Sequence, residues 1–193
     1  LVITRKASER LFDFGFKLAR QRKARGGKGM LSCIDKANVF KAFAFFRKIF
    51  DERAKLNPDI IAHHRYIDAA ALDLMLRPWD YDVMVTENQF GDIISDQAAG
   101  LIGGMGMAPS ADIGDNNAVF QPSHGTAPDI AGKGIANPTA MFLSAALMLD
   151  WLGHRHGVEA CGTAARVIEN AVDDAYASGG MRPCEIGGKS TTA

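Results

Sequence analysis

The sequence predicts an α/β fold, a parallel or mixed sheet flanked by crossover helices. Two observations carry that expectation. Across the first hundred residues, apolar residues recur alternately at helical spacing and in short β-branched runs, in the order helix, strand, helix, strand, helix, strand, helix. Lys36, Asp68 and Asp92 each fall just past the end of one of those runs. In an open parallel sheet the carboxyl ends of the strands share one edge, and ligands bind there.

The first helix is predicted from about Ser8 to Arg22, with Phe12, Gly15, Phe16 and Ala19 as one stripe and Gly26-Gly27 as its stop. Met30-Leu31-Ser32-Cys33-Ile34 reads as a short buried strand. Val39, Phe43, Phe46 and Phe50 then recur at helical spacing, and Asn57-Pro58 ends that pattern. Ile60 to Ile67 reads as a second strand. In it His63 and His64 face opposite ways and cannot line one site. Ala69 to Leu76 is a short helix closed by Arg77-Pro78, and Tyr81 to Thr86 is a third strand.

The stretch Asn88 to Asp96 follows that strand. Phe90, Ile93, Ile94 and Ala98 are spaced for the buried side of a helix, and Asp92 and Asp96 share another face. Two like charges four apart repel by a few tenths of a kcal/mol, unless a hard divalent cation bridges them. Spacing leaves both readings open: a metal pair, or two solvated acids in the favourable first turn of a helix.

The second half has a different texture. Gly100 to Met107 is glycine-rich and apolar, without the Lys-Ser/Thr ending of a phosphate loop or the third glycine of a dinucleotide fingerprint, so it reads as a turn and linker. Gly114 to Asn117 is a turn. Phe120 to Pro138 is too rich in Gly, Pro and small polar residues for regular structure. A loop of that length in a compact domain is usually functional, and this one offers many backbone N–H groups, one imidazole and one acid. Asn137-Pro138 starts a helix whose predicted buried face is Met141, Ser144, Ala145, Met148 and Leu149. His154-Arg155-His156 reads as a loop. A last helix runs from about Glu159 to Tyr176, with Ala160, Ala164, Val167, Ala171 and Ala175 on one side, and Gly187 to Thr192 is a loop tail.

Bulk composition narrows the function classes. The chain has 193 residues, with 22 Lys plus Arg against 22 Asp plus Glu. That balance asks for neither nucleic acid nor a membrane surface. The basic cluster Arg20, Arg22, Lys23, Arg25 and Lys28 lacks the interleaved aromatics of a nucleic-acid platform and reads as solvated. No apolar run nears the roughly 20 residues of a membrane span. Three unpaired-looking cysteines, Cys33, Cys161 and Cys184, suit reduced thiols in the cytoplasm, and no secretory leader is expected.

Four motifs, in order across nearly the whole chain, resemble the β-decarboxylating dehydrogenases: Asp35-Lys36-Ala37-Asn38, Tyr66-Ile67-Asp68-Ala69, Asn88 to Asp96, and His124 to Pro138. That family comprises isopropylmalate, isocitrate, homoisocitrate and tartrate dehydrogenases, and the isopropylmalate branch looks nearest. The resemblance implies a two-lobed fold, here incomplete, with residues 1–102 in a central lobe for dimerisation, metal and substrate and 103–193 in part of a cofactor lobe. It implies NAD- and Mg²⁺- or Mn²⁺-dependent oxidative decarboxylation of a 3-carboxy-2-hydroxy acid. 3-Isopropylmalate, an intermediate of leucine biosynthesis, comes first among the substrates, before isocitrate, homoisocitrate or tartrate/malate. By resemblance Lys36 is the catalytic lysine and Asp68, Asp92 and Asp96 are the metal acids. Lys36 and Asp68 are then donated across a homodimer to the partner's Asp92 and Asp96.

The resemblance also makes His124, Gly125, Thr126, Ala127, Asp129 and Asn137 the cofactor residues, with His124, Ala127 and Asn137 around the adenine and Asp129 at the adenosine ribose. An acid there suits ribose hydroxyls and repels a 2′-phosphate, so NAD is expected over NADP. Gln121 stands where the family more usually has an acid, and Gln89 where a smaller or aliphatic residue is commoner. Family chains are nearly twice as long, and the upstream part carries the substrate arginines, a catalytic tyrosine and the specificity helix. The 193-residue piece is therefore expected to be inactive by itself. A non-catalytic regulatory subunit of the same family would have lost one of Lys36, Asp68, Asp92 or Asp96, and none is lost. A plain nucleotide-binding domain would show no metal dependence.

Overall fold

The computed structural model describes residues 2–192. They form two compact units, Leu1–Ala98 and Ala99–Ala193. In the first, three parallel strands lie in the order β2-β1-β3: β1 is Met30–Asp35, β2 is Ile61–Tyr66 and β3 is Val83–Val85. β1 is central, and all of its residues except Met30 are buried. Its alternating side chains feed two cores. Leu31 and Cys33 join Phe12 and Phe16 of α1 (Arg5–Ala24) and Phe46, Ile49 and Phe50 of α2 (Lys41–Ala54). Ile34 joins Ala70 and Leu74 of α3 (Ile67–Leu76) and Ile94 of α4 (Asn88–Leu101). The first core is aromatic: Phe12 meets Phe46 at 4.6 Å between centroids, and Phe50 meets Phe12 at 5.3 Å and Phe16 at 5.5 Å. Pairs in that range add about 0.5–1.5 kcal/mol each beyond area burial.

The alternation of elements is as expected, but several faces are not. Val39 is exposed in the turn before α2, because that helix begins only at Lys41. On α4 the buried residues are Ile94 and Ala99, and Ile93 faces out. The basic cluster is tied down rather than loosely solvated. Arg20 donates to Asp59 at 2.6 and 2.7 Å and to Asn57 at 2.9 Å, and Arg22 donates to Asp82 at 2.6 Å. Lys23 donates to the Asp59 carbonyl at 2.6 Å, and Lys28 to the Trp79 carbonyl. Asp82 also accepts from the Gly29 and Met30 backbone, so these cations close the amino end of the sheet.

The second unit holds an antiparallel hairpin, β4 (Pro109–Ile113) and β5 (Ala118–Pro122), closed by a Gly114 N–H to Asn117 carbonyl bond of 2.9 Å. The hairpin was not expected, and β5 takes up the first three residues of the predicted loop. Two helices, α5 (Thr139–His156) and α6 (Glu159–Ala177), pack on each other, and Ser144 of α5 donates to the Gln121 carbonyl at 2.7 Å. α5 starts one residue later than predicted, with Pro138 rather than Asn137 as its N-cap, although Asn137 Oδ1 does accept from Thr139 N–H at 3.1 Å. The buried residues of α5 are Thr139, Ala140, Ser144 and Ala146, whereas Met141 and Met148 are exposed. On α6 Ala165 is buried and Val167 is exposed. α5 is apolar on more than one side, so spacing alone misassigns its inner face. His154-Arg155-His156 is the last turn of α5, not a loop, where cations suit the helix dipole.

One buried acid ties the connections of the first unit together. Asp73 on α3 accepts from Arg65 of β2 at 2.6 Å, from Arg77 at 2.8 Å and from the Tyr81 hydroxyl at 3.0 Å. Arg65 first, then Arg77, hold its carboxyl far below the usual carboxylate range. Burial, and then the neighbouring Asp73, push the Tyr81 hydroxyl up to about 12. A depressed folded-state pKa gives stability that is fully present above the unfolded carboxylate value of about 4 and is lost as pH falls below it. Asp73→Asn should therefore lower Tm by several degrees at neutral pH and by progressively less as pH falls from about 4 toward the folded-state pKa. Parallel Tm-against-pH curves for the two proteins would refute that account.

Candidate active site

Lys36, Asp68 and the start of α4 stand at the carboxyl edge of the three parallel strands, as the strand-end pattern predicts. The site begins with Asp35, the last residue of β1, which is fully buried. Its carboxylate accepts two bonds from Arg47 of α2, at 2.7 and 2.8 Å, and one from Ala37 N–H at 2.8 Å. The turn carrying Lys36 is thereby fixed. Arg47 also lies over the Tyr66 ring at 4.9 Å, and Lys36 Nζ stands 5.9 Å from the same ring. Lys36 donates to Asp68 Oδ1 at 2.5 Å. Asp68 sits in the first turn of α3, and its pKa is lowered by that lysine first and by its own backbone N–H second.

α4 starts with a cap that sequence reading missed. Glu87 is buried, and its two carboxylate oxygens accept from Gln89 N–H at 3.0 Å and Phe90 N–H at 2.9 Å. An acid immediately before an amphipathic run is the signal that could have found it. Asp92 and Asp96 lie four apart on α4 and are both exposed, with Asn88 donating to Asp92 at 3.2 Å. Within one chain the structure thus joins Lys36 to Asp68, and sets Asp92 and Asp96 on one helix. The three acids offer only hard carboxylate oxygens, the donors that Mg²⁺ and Mn²⁺ prefer, so the residues present fit such an ion.

A second cluster has metal-binding residue types but not metal-binding electrostatics. Cys33, Asp35 and His64 bring ligand atoms within 4.8 Å of one another. Both Asp35 oxygens are already taken by Arg47, whose fixed charge repels a cation. Burial, then Asp35, keep the Cys33 pKa well above its ordinary value, so the thiol stays protonated. His64 is engaged through Nε2 with Asp51 at 2.8 Å. As expected, His63 turns elsewhere, to Ser32 at 3.1 Å.

In the second unit, the loop from Ser123 to Pro138 follows β5. His124, Gly125, Thr126, Ala127 and Asp129 are exposed on it, while Asn137 is half-buried. His124 Nδ1 lies 2.8 Å from the Gly125 carbonyl. Ala127 has φ 41°, the left-handed region, although a proline follows it. It is the one non-glycine residue with positive φ among the described residues, and such strain gathers where a loop is shaped for a ligand. Gly132 and Gly134 also have positive φ, and a Cβ added at either would meet no atom within 4 Å, so no neighbour crowds that face of their backbone. This exposed backbone and the Asp129 carboxylate fit the polar edges of a dinucleotide. Gln121 donates to Asp112 at 3.4 Å across the hairpin, where an acid would meet like charge.

Among the described residues, no helix is long and apolar enough to cross a membrane. The isocitrate/isopropylmalate dehydrogenase pattern matches residues 1–193. The 3-isopropylmalate/3-methylmalate dehydrogenase of Methanocaldococcus jannaschii is 50% identical over 192 residues, which is 99% of this chain and 55% of that protein. The isocitrate/homoisocitrate dehydrogenase of Thermus thermophilus is 46% identical over 99% of this chain and 54% of its own length. The crystal structure of isocitrate dehydrogenase from Methylococcus capsulatus superimposes with a TM-score of 0.88 at 41% identity, covering 99% of this chain and 54% of that one. The chain therefore spans about half the length of these relatives. On the pattern match over its whole length and on these identities, the chain belongs to the isocitrate/isopropylmalate dehydrogenase family.

Proposed function

We propose that this chain is the metal- and cofactor-bearing half of an NAD- and Mg²⁺- or Mn²⁺-dependent dehydrogenase that oxidatively decarboxylates a 3-carboxy-2-hydroxy acid. The observation that carries the proposal is the sheet edge, where Lys36 meets Asp68 and where α4 begins the turn bearing Asp92 and Asp96. 3-Isopropylmalate is the substrate we favour, because relatives at 44–50% identity over 192 residues bear that name. That would place the chain in leucine biosynthesis in the cytoplasm.

Asp68, Asp92 and Asp96 would hold the divalent ion. Bound there, the ion would supply Lewis-acid polarisation of the hydroxyl and carboxylate, while NAD would accept the hydride. Lys36, beside Asp68, would take the hydroxyl proton when in its neutral amine form. In the cofactor lobe His124, Gly125, Thr126, Ala127 and Asn137 would bind the adenosine half. Asp129 would accept from the ribose hydroxyls and repel a 2′-phosphate.

The working unit is proposed to be a homodimer whose sites are shared. Leu72, Met75 and Leu76 recur at i, i+3 and i+4 on α3 and are exposed, as are Trp79 beyond it and Ile93 on α4. A patch of that kind is expected to be covered by a partner.

Each part has its own test in the protein at the length of its relatives. Mn²⁺ at one hundred times its Kd should stabilise the protein by about 2.7 kcal/mol, and Asp92→Ala should remove both that gain and turnover. An unchanged Mn²⁺-dependent Tm rise in the variant would end the ligand role of Asp92. Asp129→Lys should weaken NAD and raise the NADP/NAD ratio of kcat/KM by about tenfold or more, the scale of one hydrogen bond to a charged group. An unmoved ratio would remove the cofactor reading. Finally, Lys36→Ala and Asp92→Ala proteins, each inactive, should recover about a quarter of full activity when dissociated and reassembled together, since half the dimers then carry one intact site. No recovery would mean that the site is complete within one chain.

A further inference from the structure

The glycine run, which reads in the sequence as a turn and linker, and the segment that leads into the loop tail meet at one carboxylate. Glu185 lies in the short 3-10 turn Cys184–Ile186. Its Oε1 accepts from the Asn137 side-chain N–H at 2.7 Å. The same Asn137 amide is satisfied on every side: Nδ2 also points at Met107 Sδ at 3.3 Å, and Oδ1 accepts from Thr139 N–H at 3.1 Å and from the Tyr176 hydroxyl at 3.4 Å. Gly106 makes room for this. A Cβ there would fall 2.5 and 2.6 Å from the Glu185 carboxylate oxygens, closer than real side chains approach. Gly103 likewise seats Ile186, its virtual Cβ lying 3.2 Å from Ile186 Cγ2.

The tail holds the neighbouring backbone as well. Thr192 N–H donates to the Gly134 carbonyl at 2.8 Å, and its hydroxyl donates to the Ala136 carbonyl at 2.7 Å. Cys184 Sγ lies 3.8 Å from the Ile135 carbonyl. Four consecutive residues, Gly134 to Asn137, are thus each met by the tail. These residues form the end of the loop that approaches α5, and the rest of that loop is exposed apart from the half-buried Ile130.

We propose that Glu185 is a positioning residue for cofactor binding: with Thr192 it straps residues 134–137, and Gly106 exists to admit its carboxylate. The proposal rests on the cofactor reading of the His124–Asn137 loop. A loop held in its bound shape gives up less conformational freedom when ligand arrives, so affinity rises without a new ligand contact. Glu185 need not touch the dinucleotide to matter.

The test uses the protein at the length of its relatives, with NAD titrated calorimetrically and KM measured for NAD and for the hydroxy acid. Glu185→Ala should weaken NAD by about tenfold, the scale of one lost bond to a charged group. The kcat and the KM for the hydroxy acid should stay near their original values. Glu185→Gln keeps an acceptor oxygen for Asn137 and should restore most of the affinity. Gly106→Ala should reproduce the Glu185→Ala defect, and Thr192→Val should shift NAD affinity the same way. If Glu185→Ala lowers Tm too far to assay, the Thr192→Val and Glu185→Gln pair decides alone. Unaltered NAD affinity in Glu185→Ala, or a Gln variant as damaged as the Ala variant, overturns the proposal. If Asp129→Lys shifts cofactor preference while the Glu185 variants do not, the positioning idea alone falls. If neither has any effect, the cofactor reading falls with it.

Discussion

The first unit depends on the bidentate pair between Asp35 and Arg47. A carboxylate with no solvent exposure costs several kcal/mol to desolvate unless it is paired and its lone pairs are used. Here three donors use them: two guanidinium N–H groups and the Ala37 backbone. One interaction therefore fixes the end of the central strand, the middle of α2 and the turn that carries Lys36. It reaches the next strand too, because the Arg47 guanidinium lies over Tyr66, two residues before Asp68. The lysine–aspartate pair at the sheet edge is placed by this buried charge, which touches neither of them.

The second unit solves a different problem. Its candidate ligand loop has little side-chain chemistry, so what it would offer is backbone, and backbone must be both exposed and shaped. Open positive-φ glycines and the strained Ala127 give the shape. The ends of the loop supply what the exposed middle lacks. β5 leads into it, with its Gln121 carbonyl bonded to Ser144, and Asn137 leads out with its amide fully engaged. A loop anchored at both ends and open between them can be precise without being buried.

The order of elements in the first unit was legible because helical apolar spacing there alternates with short apolar β-branched runs, and period and length separate the two cases. Inner faces were less legible. Val39, Ile93, Met141 and Val167 fit the expected stripes yet stand exposed: Val39 lies before the first turn of α2, and on the helices spacing alone does not say how far round the packed side extends. The β4–β5 hairpin was missed because Pro109 and Asp112 dilute a five-residue strand that has little alternation. The motif residues were legible from resemblance, not from spacing, which left Asp92 and Asp96 open between metal and solvent. Of the supporting residues, Glu87 had a local signal that went unread, whereas Arg47 and Glu185 had none. Each acts on something distant in sequence or on the backbone, and a charged letter in a row does not say what it faces.

Aspartate shows how the structure separates what sequence alone merges. Asp35 and Asp73 are buried, and guanidinium groups use their oxygens, so their charge is spent on holding the fold. Asp82 is spent in the same way on Arg22 and on the start of β1. Asp92 and Asp96 are exposed at the sheet edge, and the partner on Asp92 is a neutral amide, which leaves its negative charge uncompensated. Two uncompensated carboxylates one helical turn apart raise the energy of the unliganded helix by a few tenths of a kcal/mol. Glu87, capping the same helix with its own charge at the N-terminus, keeps α4 folded against that repulsion. The helix thus carries a small, affordable electrostatic stress at the point where a divalent cation would relieve it. The buried acids of the same unit carry none.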